Sequence, residues 1–487
     1  MKPPASLKSI LQIAVCSFII LSAATTHHTW ANNNKKQLDD QTPASASPQR
    51  VSRVIQGSEP QVQVQIEFQR RAVIPQANVI ETSKAAAITA NSQSPDSTVI
   101  LKTNILPLTP KPISVPLNRH EKLLINKAQR YIDKNWNEET GMIDSVQGYT
   151  HATMWDVASG IGALLALEAL GVSDPHIIDI RLAKLLNTLY ELPLYDDKLP
   201  NRQYNTVTGK PSGNFSQTPS NGNGWSALDL GRLYIWLTIV AQRKPHLAMD
   251  VDNIKFKWQL NAAVHNKTLY GTKLTSKKEY FRQEGRLGYL QYAATGYQMM
   301  NLDVAHAFSC KRLQQVDIDS LMLKIDTRNL PFLTLDPFLL YTIEIGNKAS
   351  CWNQLDTLFK LHNTQYQATQ RLTAYAEDSL SKSPWFLYNN IYYQGQAWHS
   401  VSHSGKAIAD SQIFSNKAAF AMSVIFQNEY SQNLAIQVIT NSARHQEVPT
   451  GLYRDGKTNT AYNINTNSLI LVSLWYKMRG RKAIWQE

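Results

Sequence analysis

From residue 119 to the C-terminus the chain reads as one amphipathic helix after another, joined alternately by short and long connections. Leu233, Trp236, Leu237 and Val240 fall at i, i+3, i+4 and i+7, one face of a helix. Val157, Ile161, Leu164 and Leu165 do the same over 155–170, and Gly171 ends that helix. The pattern predicts helices at 119–136, 155–170, 177–192, 226–243, 251–264, 336–345, 351–361, 417–429, 433–444 and 465–479, with another after Gly285. Strand signals are few, at 388–393 and around Tyr453. Helices connected in this alternating way are predicted to pair and close into a ring. An irregular bundle or a solenoid gives a similar string. In a ring the long loops at one end carry the site, and 195–224 and 267–285 are the candidates.

The segment before residue 119 has a different texture. Residues 1–31 read as a secretory signal, with Lys2 and Lys8 ahead of an apolar run at 10–20 that is short for a membrane span. Val15 before Cys16 argues against lipidation. Residues 32–118 are poor in core residues and rich in Gln, Ser, Thr, Ala and Pro, the composition of a flexible tether. Only 62–66 alternates as an exposed strand would. The mature chain is expected to be periplasmic or secreted, monomeric, and without a transmembrane segment. Net charge is +12 over 487 residues, and Lys2 and Lys8 contribute two of those charges. The excess is spread along the chain, which argues against a nucleic-acid partner. Removing the signal leaves Cys310 and Cys351, either a disulfide or two buried thiols.

Two acids share one setting. Thr153 with Asp156, and Ser226 with Asp229, match the capping-box spacing ahead of apolar runs. Both carboxylates are therefore expected at helix starts, and a helix start at a cavity rim holds an acid rigidly. The adjacent Trp155 and Trp225 could stack on a pyranose or belong to the core. Arg232 lies one turn beyond Asp229. Glu284 sits between basic residues and Gly285, with Tyr280, Phe281, Tyr289 and Tyr292 nearby. As a general acid it needs apolar surroundings, and pairing with Arg282 or Arg286 would work against that. The loop 447–456 holds Glu447, Tyr453 and Asp455, and leads to Asn463, Asn465 and Asn467. Asn465 or Thr466 suits a helix N-cap; amides here could also bind sugar hydroxyls.

Other chemistries find little support. His399 and His403 lack a completing ligand for a metal set. No Gly-rich phosphate loop and no Gly-x-Ser-x-Gly elbow occurs. No metal or organic cofactor is expected.

Five blocks, at 153–159, 224–233, 284–294, 415–420 and 465–471, resemble successive blocks of a bacterial domain-of-unknown-function family. That family is grouped with the glucoamylase-like six-hairpin glycosidases. The resemblance covers residues 119–487 and implies an all-α, (α/α)6-type toroid with a polysaccharide, a bacterial exopolysaccharide or glucan, as ligand. Related families include enzymes acting on β-1,2-linked glucans. The family's acid block falls on Glu284, and its tryptophan–aspartate blocks on Trp155, Asp156, Trp225 and Asp229. Thr450 stands where a glutamate is expected before Gly451 and Tyr453, with Glu447 three residues earlier and Asp455 nearby. The expectation is a glycoside hydrolase in which Glu284 protonates the leaving oxygen and Asp156 or Asp229, less readily Asp455, activates water. Trp155, Trp225, Arg232, Tyr289, Tyr292, Tyr453 and Asn465 are expected to contact substrate. The rival readings are a non-catalytic polysaccharide-binding or exopolysaccharide-assembly protein on the same scaffold, and a structural envelope protein.

Overall fold

The inner helices are apolar almost all round, and that decides the architecture. In α2 (Met154–Ala169) every residue from 154 to 167 is buried, and in α11 (Ile464–Met478) every residue from 464 to 476. Helices of this kind need neighbours on all sides. By contrast α1 (Arg119–Asn135) buries Leu124, Ile125, Ala128, Tyr131 and Ile132, a single stripe. The computed structural model describes residues 115–486 apart from 328–331, 348, 403 and 410. The expected signal at 1–31, the tether up to 114, the strand at 62–66 and His403 lie outside those residues.

The remaining helices are α3 (Pro175–Glu191), α4 (Ala227–Arg243), α5 (Ala248–Lys257), α6 (Tyr289–Met299), α7 (Asp336–Leu340), α8 (Leu355–Thr369), α9 (Asn416–Ile425) and α10 (Glu429–Ser442). Six of the eleven helices among the described residues form an inner ring. α2 packs on α4, α4 on α6, α6 on α7, α7 on α9, α9 on α11, and α11 closes on α2. Outside lie α1 against α11, α3 against α2 and α5, α5 against α4, and α10 against α9. This is the (α/α)6-type toroid. Between α6 and α7, where a sixth outer helix would come in chain order, the described chain has a hairpin of strands Leu313–Ile318 and Leu321–Asp326. Its second strand packs on α8. A Cys310–Cys351 disulfide anchors the start of that excursion.

Inner helices run parallel, as their contacts rise in step. Asp156 meets Asn465, and one turn on Ser159 meets Ser468. Between α4 and α6 the approach is backbone to backbone. A Cβ on Gly231 would lie 2.4 Å from the carbonyl oxygen of Ala293, and one on Gly296 would lie 1.9 Å from that of Gly231. With parallel helices, all six N-termini share one end.

Helix positions mostly agree with the sequence periodicity, and four details differ. The helix expected at 351–361 is α8, which starts at Leu355 and runs on to Thr369. The stretch 251–264 is not one helix: α5 ends at Lys257 and a 3-10 turn, Leu260–Ala263, follows. The N-cap of α11 is Asn463, whose side chain accepts from the Thr466 amide at 2.7 Å, because Asn465 and Thr466 are already inside the first turn. Short strands are more numerous than expected. They lie in the connections, where seven-residue and shorter runs carry little alternation to read. The expected strands at 388–393 and around Tyr453 are present, in Phe386–Tyr393 and Gly451–Tyr453.

Candidate functional site

The start of α4 gathers the first cluster. Ser226 Oγ accepts from the Asp229 amide at 3.3 Å, as the cap spacing predicted. The Glu284 carboxylate arrives from another segment: Oε2 accepts from the Ala227 amide at 2.8 Å, and Oε1 from Arg202 Nη2 at 2.6 Å. Arg282 also lies close enough for Glu284 to act on its charge. Arg202 comes from the loop 195–224 and is fixed in turn by Nε donating to the Thr272 carbonyl at 2.9 Å. Gly271 makes room, since a Cβ there would lie 2.1 Å from the Glu284 carboxyl. Arginine and amide N–H groups only donate, so both Glu284 oxygens act as acceptors here. Trp225 sits beside them with Nε1 donating to the Tyr270 carbonyl at 3.1 Å, and its ring meets Tyr195 and Phe281 edge-on. Burial first, then Tyr234, Glu284 and Asp229, push the Tyr297 hydroxyl well above its ordinary pKa. That hydroxyl donates to the Ala227 carbonyl at 3.0 Å, so both acids lie close to this helix start.

A second cluster is a polar network along the ring axis. Asp156 closes its own capping box with Thr153 and accepts from Asn465 Nδ2 at 2.7 Å. Asn465 Oδ1 accepts from Ser159 Oγ at 2.8 Å and from Arg232 Nη1 at 3.5 Å. Arg232 pairs with Glu344 at 3.3 Å and lies over the Trp155 ring, 4.6 Å from its centroid. Tyr289 and Tyr292 meet Trp155 edge-on, each at 5.9 Å. The Tyr292 hydroxyl donates to Glu344. Burial raises Glu344 above the usual carboxylate range despite Arg232 and Tyr292. Arg232, Glu344, Trp155, Tyr289 and Tyr292 are all buried. These rings therefore act on one another and on Arg232, and are not an open stacking platform.

Glu344 was not singled out from sequence. It sits in Tyr341–Ile345, a π-helical turn that continues α7, a device often found where a side chain must be re-aimed. A third cluster was missed as well. Asp336, at the start of α7, and Asp378 face Lys417, at the start of α9, at 2.7 and 3.4 Å. Asp336 also accepts from the Glu377 amide at 3.0 Å and Thr334 Oγ1 at 2.9 Å. Asp378 accepts from Gln412 Nε2 at 2.6 Å. Burial pushes Asp378 up to about 6, against Lys417. Burial also opposes ionisation of Asp336, but Lys417 and its donors outweigh it and hold this carboxyl low. The signal that could have revealed the cluster is a lone lysine in an otherwise apolar helix start.

The C-terminal loop is divided. Tyr453 is buried, its hydroxyl 3.1 Å from the Ser381 amide and 3.2 Å from Asn459 Oδ1. Asp455 is exposed on the hairpin turn and held below its usual range by Lys457, 2.9 Å away. Glu447 is buried and faces Lys134 at 3.5 Å and Arg130 at 3.9 Å on α1. Among the described residues no three His, Cys, Asp or Glu side chains gather as a metal site, and no helix is long and apolar enough to cross a membrane.

Solved structures share this fold. A protein of Bacteroides caccae assigned as a glucoamylase superposes with a TM-score of 0.58 at 13% identity, over 75% of this chain and 95% of its own. An endo-β-1,2-glucanase of Chitinophaga pinensis, solved with sophorotriose and glucose, gives 0.54 at 12% identity, over 75% and 93%. No curated protein matches the sequence. At such identities the likeness is one of architecture. The match that defines kinship is by family and spans residues 124–480, nearly the whole ring: the chain belongs to the family described as "Protein of unknown function (DUF3131)".

Proposed function

We propose that this protein is a glycoside hydrolase acting on a bacterial exopolysaccharide or glucan, exported from the cytoplasm, with Glu284 and Asp229 as its two carboxyls. The observation that carries this is their convergence on one helix start, with Glu284 clamped by Arg202 and the Ala227 amide. Asp156 is committed to its capping box and to Asn465, and Asp455 sits on an exposed turn. Both are therefore poorer candidates for the pair. With both oxygens accepting, Glu284 suits the group that activates water, and Asp229 the group that protonates the leaving oxygen. This exchanges the roles expected from sequence, because Arg202 was not foreseen as the partner. The fold of the endo-β-1,2-glucanase makes β-1,2-linked glucans one arm of the test. The Cys310–Cys351 disulfide supports export, since such bonds persist in oxidising compartments.

Released oligosaccharides, read by mass from a panel of bacterial polysaccharides, test the reading. Glu284→Gln and Asp229→Asn should each lower turnover by ~10²–10⁴-fold. A substrate with a strongly acidic leaving group should restore Asp229→Asn far more than Glu284→Gln, because only the proton donor becomes dispensable. Wild-type turnover in both variants would remove this pair. The second reading, a polysaccharide-binding protein without catalysis, is favoured by the Arg202 ion pair, which occupies the Glu284 carboxylate. It predicts binding with no product from the wild-type protein.

A further inference from the structure

A cleft of about 520 Å³ lies beside the Glu284 segment, and its lining includes Thr268, Tyr270, Gln283, His306, Lys311 and Arg312. That size suits one or two sugar units, within the usual range for ligand sites. Its floor is the hairpin of strands Thr268–Leu274 and Glu279–Gln283, in which Tyr270 pairs with Gln283. Tyr270 packs at a tilt on Phe281, 5.0 Å between ring centroids, and meets His265 edge-on at 4.9 Å; Phe281 is half exposed. This is an aromatic surface of the kind the axial rings do not offer.

Two observations specify what the cleft would take. The first is unused hydrogen-bonding capacity. Gln283 spends its amide nitrogen on the carbonyls of Glu284 and Gly285, while its Oε1, like Thr268 Oγ1, is buried with no partner among the described residues. An oxygen in that state costs free energy until a donor arrives, and a sugar hydroxyl is such a donor. The second is charge. No carboxylate lines the cleft, Lys311 and Arg312 are exposed, and neither has an ion-pair partner among the described residues. Asp303, three residues before His306, is taken by Lys267 at 2.8 Å. Lys311 follows the disulfide-bonded Cys310 directly, so the basic pair is anchored covalently.

We infer that this cleft is an accessory subsite for an anionic sugar, so that the substrate is an acidic polysaccharide rather than a neutral glucan. Tyr270 offers the pyranose an apolar face, Gln283 and Thr268 accept from its hydroxyls, and Lys311 and Arg312 pair with its charge. A uronate carboxylate and a phosphate substituent present the same chemistry to that pair. The inference rests on the glycoside hydrolase reading, and binding is measured separately from cleavage.

The experiment is calorimetric titration of the mature protein with three oligosaccharide sets: oligouronates, phosphoryl-substituted glucans and neutral β-1,2-glucans. At least one acidic set should bind ~10-fold or more tightly than the neutral set, and the advantage should shrink as salt is raised. The better acidic set identifies the charged substituent. Lys311→Ala with Arg312→Ala should abolish the advantage, and Tyr270→Ala should weaken acidic and neutral sets together. Equal affinity for the neutral set, or an unchanged double variant, overturns the proposal. So does inorganic polyphosphate binding as tightly as the sugars, which would mark a generic anion surface. Tight acidic binding without released product leaves the subsite standing and sinks the hydrolase reading. Cleavage with no acidic preference does the reverse.

Discussion

Five of the carboxylates described above are held by donors that come from a distant part of the sequence. Glu284 is gripped by Arg202, Asp156 by Asn465, Glu344 by Arg232, and Asp336 with Asp378 by Lys417. Local spacing therefore revealed the caps at Asp156 and Asp229, where both partners lie within three residues, and could not reveal Arg202 or Glu344. The same distinction appears at His362, which is buried, donates from Nδ1 to the Leu358 carbonyl at 2.8 Å and accepts at Nε2 from the Tyr375 amide at 3.3 Å. Only the neutral ring can do both. Burial lowers its pKa to about 4, against the Leu358 contact. The unfolded chain binds a proton below about 6.5 and the folded one does not until about 4, so stability falls as pH drops through that window. The loss should reach about 3 kcal/mol. Asp378, raised to about 6, acts with the opposite sign, losing stability as pH rises from about 4 to about 6. Chemical denaturation of wild type and His362→Gln at pH 4.5 and 7 isolates the histidine: the variant should lose stability at pH 7 and much less at pH 4.5. An equal loss at both pH values would show that His362 contributes packing alone.

At the scale of elements, helices were legible and the connections were not. A helix of ten or more residues repeats its apolar face several times, and that repetition located α1 to α4 and α9 to α11 within a few residues. The hairpin at Leu313–Ile318 and Leu321–Asp326 repeats only Val316, Ile318, Leu321, Leu323 and Ile325, too short a pattern to displace a loop reading. The closest helix contact is also the one most sensitive to substitution. Gly231 and Gly296 let α4 and α6 meet backbone to backbone, and the Cβ of Gly296→Ala would press on the Gly231 carbonyl at 1.9 Å. Neither wall is a flexible side chain. Gly296→Ala should therefore destabilise by at least ~1–3 kcal/mol, the usual cost of overpacking, even though alanine is the better helix former. Thermal melting decides it; an unchanged or raised midpoint would mean that the two helices part readily.

At the scale of the molecule, the ring is closed by residues remote in sequence. α11 packs between α9 and α2, and α1 covers α11 from outside. Lys477 at the end of α11 binds Glu121 at the start of α1, and the Val115 amide donates to the Met478 carbonyl at 3.2 Å. Such closure makes stability cooperative, since removing one inner helix opens both of its neighbours. It also sets where the folded unit can begin. The family match starts at residue 124, inside α1, and the Asn118 capping box is the first complete local device ahead of that helix. The composition of 32–114 offers little apolar surface to bury. A chain beginning at residue 115 should thus keep the helical content of the ring and melt in one transition close to that of a chain beginning at residue 32. One beginning at residue 137, which lacks α1, should lose cooperative melting, because α11 would expose Leu- and Trp-rich surface now covered. Circular dichroism of both truncations checks this. Loss of the transition in the longer chain would assign 32–114 a part in the core, and its retention in the shorter one would show that the outer layer is dispensable to the ring.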